Sequence, residues 1–160
     1  MGALFSPCRT WRYALTRELD GDGRVAFVGL NPSTGDEARD DPTIRRCLGF
    51  ARDWGFARLD VVNLYALRTT DPRTLWNAGD PVGPENDRIL ARVLDDADLV
   101  VAAWGVHARQ ERLRDVACIL GRLQLHALGV TKAGAPRHPL YVRAGVRPSL
   151  YGNPLRTIVQ

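Results

Sequence analysis

The stretch Val25-Ala26-Phe27-Val28-Gly29-Leu30-Asn31-Pro32-Ser33 constrains this chain more than any other. It is a short apolar run without polar alternation, the pattern of a strand buried on both faces of a parallel sheet. It stops at Asn31-Pro32. Proline has no N–H to give a sheet and disfavours helical backbone at the residue before it. The chain must therefore turn where a buried strand delivers its carboxyl end to the surface. In open α/β sheets that edge is where ligands bind. Two readings of Asn31 through Gly35 stand at this point: a plain polar turn, or the mouth of a site in which Asn31 is rigidly held.

The same pattern recurs. Leu59-Asp60-Val61-Val62-Asn63-Leu64 is a second apolar run with an asparagine at its carboxyl end, Asp98–Gly105 a third and Gln124–Gly129 a fourth. Asp41-Pro42 opens a helix, with an acidic cap followed by proline at the first helical position. Ile44, Cys47, Leu48 and Ala51 then repeat at helical spacing, and Gly55 is a natural stop. Asp71-Pro72 is another such start, and helices are expected over about 84–96 and 106–121. Strand and helix in alternation predict a three-layer α/β/α domain around a central, mainly parallel four-stranded sheet. Residues 8–19 place Trp11, Tyr13 and Leu15 on one face and read as an extra edge strand. A chain of 160 residues is expected to make one domain, with its core over about 24–145 and a surface-wrapping tail over 143–160.

Apolar residues make up 45% of the chain, enough for a core, and no run approaches the roughly 20 residues that span a bilayer. The first residues lack the basic start and long apolar stretch of a secretory signal, so a cytoplasmic protein is expected. Cys8, Cys47 and Cys118 are odd in number and far apart, which argues against a disulfide framework. His107, His126 and His138 share no ligand spacing, so neither a metal nor another cofactor is expected. Net charge is +4, and every basic residue but Lys132 is arginine. Arginine forks suit phosphate, although an arginine bias also follows from coding composition.

Three polar side chains fall where strands end: Asn31, Asn63 and, after the Gly- and Pro-rich loop from 129, His138. They are expected to converge over one edge of the sheet. His126 lies within a strand and reads as a sheet-face residue. Arg45 and Arg46 occupy the first turn of the first helix, where the helix dipole disfavours cations. Either Asp36, Glu37, Asp40 or Asp41 answers them, or a bound phosphate does.

Four stretches carry a family resemblance: Gly-Leu-Asn-Pro-Ser (29–33), Asp-Asp-Pro-Thr-Ile-Arg-Arg-Cys (40–47), Val-Val-Asn-Leu-Tyr-Ala-Leu-Arg (61–68) and Pro-Arg-His-Pro-Leu-Tyr (136–141). With them the chain resembles DUF1643, a bacterial family of unknown function, over roughly residues 24–145. More distantly, the order of motifs is similar to the uracil-DNA glycosylase superfamily. Gly29-Leu30-Asn31-Pro32 resembles the first glycosylase motif, Val61-Val62-Asn63 the strand whose asparagine reads the polar edge of uracil, Val100–Gly105 the strand ending in Trp-Gly, and His138-Pro139 the second motif. The chain departs from that pattern in lacking an aromatic residue directly after Pro32, in continuing His138-Pro139 with Leu-Tyr, and in its acidic and basic 34–47 segment.

The resemblance implies a uracil-DNA-glycosylase-like fold acting on a base in DNA or a nucleotide by N-glycosidic hydrolysis, or a non-catalytic module holding a nucleotide or nucleic acid in the same cleft. Asn31 would orient water, His138 would donate to the departing base, and Asp41 (or Asp40) would supply a base if its loop folds back. Asn63 would read the base edge. Tyr65 and Trp54, with Phe50, are the candidates for the missing aromatic wall. Ser33, Arg45, Arg46 and Lys132 are candidates for phosphate contacts.

Overall fold

The computed structural model describes residues 2–152, 154 and 155. The elements in order are β1 (Gly2–Phe5), β2 (Arg12–Glu18), β3 (Arg24–Gly29), α1 (Pro42–Asp53), β4 (Arg58–Asn63), α2 (Pro72–Asn77) and α3 (Asn86–Asp95). They continue with β5 (Leu99–Ala102), α4 (Gln110–Asp115), α5 (Ala117–Leu120), β6 (Leu125–Ala127), a 3-10 turn over Pro139–Tyr141 and β7 (Ser149–Leu150).

The apolar runs form the middle of one sheet. Its order is β1-β2-β4-β3-β5-β6-β7. The four strands β4, β3, β5 and β6 are parallel, with Val28 beside Val62 on one side and Ala102 on the other. The outer strands are antiparallel. Chain order reverses at β3, whose neighbours are β4 on one side and β5 on the other, so the switch point of the sheet lies at the carboxyl ends of these strands.

The sheet is wider than four strands and a possible extra edge. The strand expected over 8–19 spans Arg12–Glu18 and is not an edge strand, because β1 pairs outside it. β7 pairs at the other side, within the segment expected to be a surface tail. β1 has four residues and β7 two, too few to show a hydrophobic period. Residues 153 and 156–160 of the expected tail lie outside the described residues.

Two cores sandwich the sheet. On one face Ile44, Cys47, Leu48, Phe50 and Ala51 of α1 pack on Val25, Phe27, Leu59 and Val61. On the other, α2, α3, α4 and α5 pack on Ala26, Val28, Val62 and Val100. Each large side chain fully removed from water contributes roughly 1.5–3 kcal/mol. Helix α1 starts as its sequence requires: the Asp41 carboxylate accepts from the Ile44 N–H at 2.9 Å, and Pro42 takes the first helical position. The helix expected over 106–121 is two short pieces broken at Val116. Among the described residues no helix is long and apolar enough to cross a membrane.

One irregularity matters for the site. Along β1 and β2, Leu4 pairs with Ala14 but Phe5 pairs with Arg12, so Tyr13 is an extra residue. Such a bulge re-aims the side chains around it. Tyr13 and Ala14 pack with the α3 side, whereas Leu15 packs with the α1 side. Arg12 falls on the α1 side as well, where its guanidinium meets the Gly35 carbonyl.

Candidate functional site

A cavity of about 560 Å³ opens at the switch point, within the size range of small-molecule sites. Its walls come from the ends of β3 (Phe27, Gly29) and β4 (Val61, Asn63), from Ala103 and Trp104 just past β5, from the start of α1, and from the loop that carries His138.

The loops leaving β3 and β4 stay paired beyond the sheet. The Leu64 N–H donates to Gly29, Tyr65 to Leu30 and Thr69 to Pro32. Asn31 completes this tie, its Nδ2 donating to the Thr69 carbonyl at 2.8 Å and to that of Pro32 at 3.1 Å. With its amide N–H groups so engaged, Asn31 has its Oδ1 acceptor for other work.

Asn63 is only 3% exposed, and its Nδ2 has no partner among the described residues. An unmatched buried amide costs about 1–3 kcal/mol. The backbone behind it is pinned. Asn86, fully buried, donates to the carbonyls of Asn63 and Leu64, and the buried Arg112 donates to Leu64 at 2.7 Å while pairing with Asp87.

His138 lines the cavity from a loop that lies against Gly105, which turns the chain past β5 at φ 73°. The Gly105 N–H donates to the Pro136 carbonyl at 3.0 Å. His138 Nδ1 accepts from the Leu140 N–H at 3.2 Å, which leaves the neutral ring its proton on Nε2. Burial lowers the His138 pKa, against the pull of the Asp41 charge, and so favours that neutral ring.

Asp41 lines the cavity but is committed to the fold. It is buried, one oxygen caps α1 and the other accepts from the Gly35 N–H at 3.2 Å. Cys47 also lines the cavity, and burial pushes its thiol pKa up, so it serves as an apolar wall.

The other expected residues divide. Ser33 lines the cavity. Trp54 stacks on Phe27 and Phe50 behind it and donates to the Val146 carbonyl, while Tyr65 packs edge-on to Trp76 on the opposite face of the sheet. Neither is a lining residue; the aromatic residues that line the cavity are Phe27, Trp104 and Tyr141. Arg45 folds back onto the Asp40 carbonyl, and Arg46 donates to that of Val142 beside Phe50. These contacts take both arginines away from the cavity, and the exposed Lys132 is not among its lining residues either.

Residues 12–140 match the family described as a protein of unknown function, DUF1643. The chain belongs to the DUF1643 family. No curated protein and no solved structure matches it.

In this DUF1643 protein the matched stretch runs from Arg12 to Leu140 and so takes in Asn31, Asp41, Asn63 and His138. It also contains residues that sequence reasoning passed over. Arg12 is 2% exposed and lines the cavity. Asn86 and Arg112 hold the backbone behind Asn63. A lone arginine or asparagine near a strand or helix start carries no local signal for these positions. Thr43 could have been found, because a polar residue behind a capped Asp-Pro helix start faces whatever the helix end faces.

Proposed function

We propose that the cavity binds a nucleobase and that the protein hydrolyses the N-glycosidic bond joining that base to its sugar, on DNA or on a nucleotide, in the manner of a uracil-DNA glycosylase. The observation that carries this reading is the buried Asn63 amide, whose Nδ2 has no partner among the described residues and which lines the same cavity as Asn31 and His138. An amide offers both a donor and an acceptor, the complement of an amide-like base edge. Phe27, Ile44 and Val61 supply apolar wall for the ring.

The chemistry needs no strong nucleophile. Water adds to the sugar C1′ as the C1′–N bond breaks, the bonding pair leaves on the base, and the proton lost by the water passes to the departing base or to solvent. The Asn31 Oδ1 accepts from that water and orients it. The His138 Nε2–H donates to the oxygen on which the base's negative charge develops, a role for a preorganised neutral donor. Leu140, half-exposed, and Tyr141, at 80% exposure, flank His138 at the mouth, where they would meet the neighbours of an extruded nucleotide.

The test is release of free base. Stoichiometric protein is incubated with uracil- and hypoxanthine-containing oligonucleotides, single- and double-stranded, and with dUMP and dIMP, and the base is followed by chromatography. Release that disappears in Asn31→Ala and in His138→Ala is the expected result. No release from any of these substrates defeats hydrolysis.

A second reading is favoured by Asp41. Its carboxylate is the one acidic group among the lining residues, and each oxygen already accepts a backbone N–H. A module that holds a nucleotide without cleaving it needs no further base. Binding abolished by Asn63→Leu, with no release of base, supports this reading.

A further inference from the structure

The cavity has a buried cation that the proposed base chemistry does not use. A guanidinium carries five N–H donors. Arg12 spends one of them, Nη1 to the Gly35 carbonyl at 2.5 Å, and its buried Nε has no partner among the described residues. Burial lowers the Arg12 pKa to about 10, so it stays charged at neutral pH. The acid that acts on it most strongly, Asp41, has each carboxylate oxygen accepting a backbone N–H, from Gly35 and from Ile44. Arg17 and Arg68 add positive charge nearby, and Asp36 negative. Arg17 is already paired with Asp40 at 2.8 Å, and Asp36 accepts from the N–H groups of Ala38 and Arg39. None of these acids satisfies the Arg12 fork. Ser33 and Thr43 bring hydroxyls to the same cavity, and the twelve-residue α1 opens there with the positive end of its dipole.

We propose that the ligand is a free nucleotide whose terminal phosphate is received by Arg12, with Ser33 and Thr43, while Asn63 takes its base. This rests on the nucleobase reading above and decides between its two substrate classes. A guanidinium fork pairs bidentately with phosphate. Arg12 lies deep, at 2% exposure. A phosphodiester with chain leaving on both sides cannot reach such a floor, whereas a terminal monoester can. The bulge at Tyr13 is the device that turns Arg12 toward the cavity.

The experiment is calorimetric titration of the full chain with inorganic phosphate, dUMP, deoxyuridine and a uracil-containing single-stranded oligonucleotide without terminal phosphates. The expected result is dUMP binding about tenfold or more tighter than deoxyuridine, with inorganic phosphate competing against dUMP and the oligonucleotide failing to compete. Arg12→Met should erase the difference between nucleotide and nucleoside. Because Arg12 is buried, Ser33→Ala/Thr43→Val is measured beside it and should reduce the difference. In wild-type protein the ¹⁵N-resolved Arg12 Nε–H resonance should move with dUMP and with phosphate but not with deoxyuridine. Equal affinity for dUMP and deoxyuridine overturns the phosphate seat and leaves the base reading standing. Binding of phosphate and of any nucleotide regardless of base keeps the seat and removes the base reading. An oligonucleotide that binds as tightly as dUMP, or no binding of phosphate and nucleotide at all, overturns the proposal.

Discussion

Asn63 and Gly29 stand side by side at the ends of two parallel strands, so close that a Cβ on Gly29 would lie 2.7 Å from the Asn63 Oδ1. The amide occupies space that only glycine leaves. Gly29→Ala must therefore push Asn63 out of place. Overpacking of this kind costs about 1–3 kcal/mol. The expected outcome is a folded protein of lowered melting temperature that has lost its ligand. Unchanged binding in a folded Gly29→Ala protein would show that the Asn63 position is not used.

Asn63 itself separates a structural from a functional amide. Its Nδ2 is buried without a partner among the described residues, so the fold gains little from it. Asn63→Leu keeps the shape and removes the unmatched polar group, and should leave stability unchanged or raise it by up to about 1–2 kcal/mol. Denaturant unfolding checks this. A loss of several kcal/mol would mean that the amide serves the fold.

Asp41 makes the opposite case. It caps α1 and holds the Gly35 N–H, and it supplies negative charge near the buried Arg12. Asp41→Ala is expected to cost about 2–3 kcal/mol. Asp41→Asn keeps one acceptor oxygen and should cost about half as much. Equal losses in the two variants would locate the effect in the charge and not in the cap.

His138 sets a pH dependence with a definite sign. Its pKa is lowered in the folded protein by burial, so the unfolded chain takes up the proton first. Its contribution to stability is complete above the ordinary histidine value of about 6.5 and is lost as pH falls through that value toward the folded pKa. Urea unfolding of wild-type protein should weaken over that window more than that of His138→Ala. A wild-type protein that gains stability relative to the variant on acidification would contradict the assignment. On the proposed mechanism base release uses the neutral ring and should stay level down to about pH 6.5, falling as pH drops toward the lowered folded pKa.

The parts of the fold written in local chemistry were legible from the residues. Apolar runs without alternation marked β3, β4 and β5, and Asp41-Pro42 marked the start of α1. The placing of Asn31, Asn63 and His138 at strand ends led to one cavity. Side-chain direction was legible only where the strand period is regular. Counted by twos from Leu15, Arg12 belongs on the opposite face; the extra residue at Tyr13 brings it to the cavity. Tyr65 and Trp54 sit near the right strands and helix, yet one faces the other side of the sheet and the other packs behind Phe27. Arg45 and Arg46 found carbonyls of Asp40 and Val142, contacts that depend on how distant loops return.

If Asn63 reads a nucleobase in this cavity, its side-chain amide reports the binding itself. In a ¹⁵N-labelled protein its Nδ2 resonances, assigned by their absence in Asn63→Leu, are followed while uracil or hypoxanthine is added. The expected result is a saturable shift of those resonances with at least one base, and loss of binding in Asn63→Leu. Resonances that stay fixed up to the solubility limit of both bases, or a base that binds the Leu variant equally well, would contradict it.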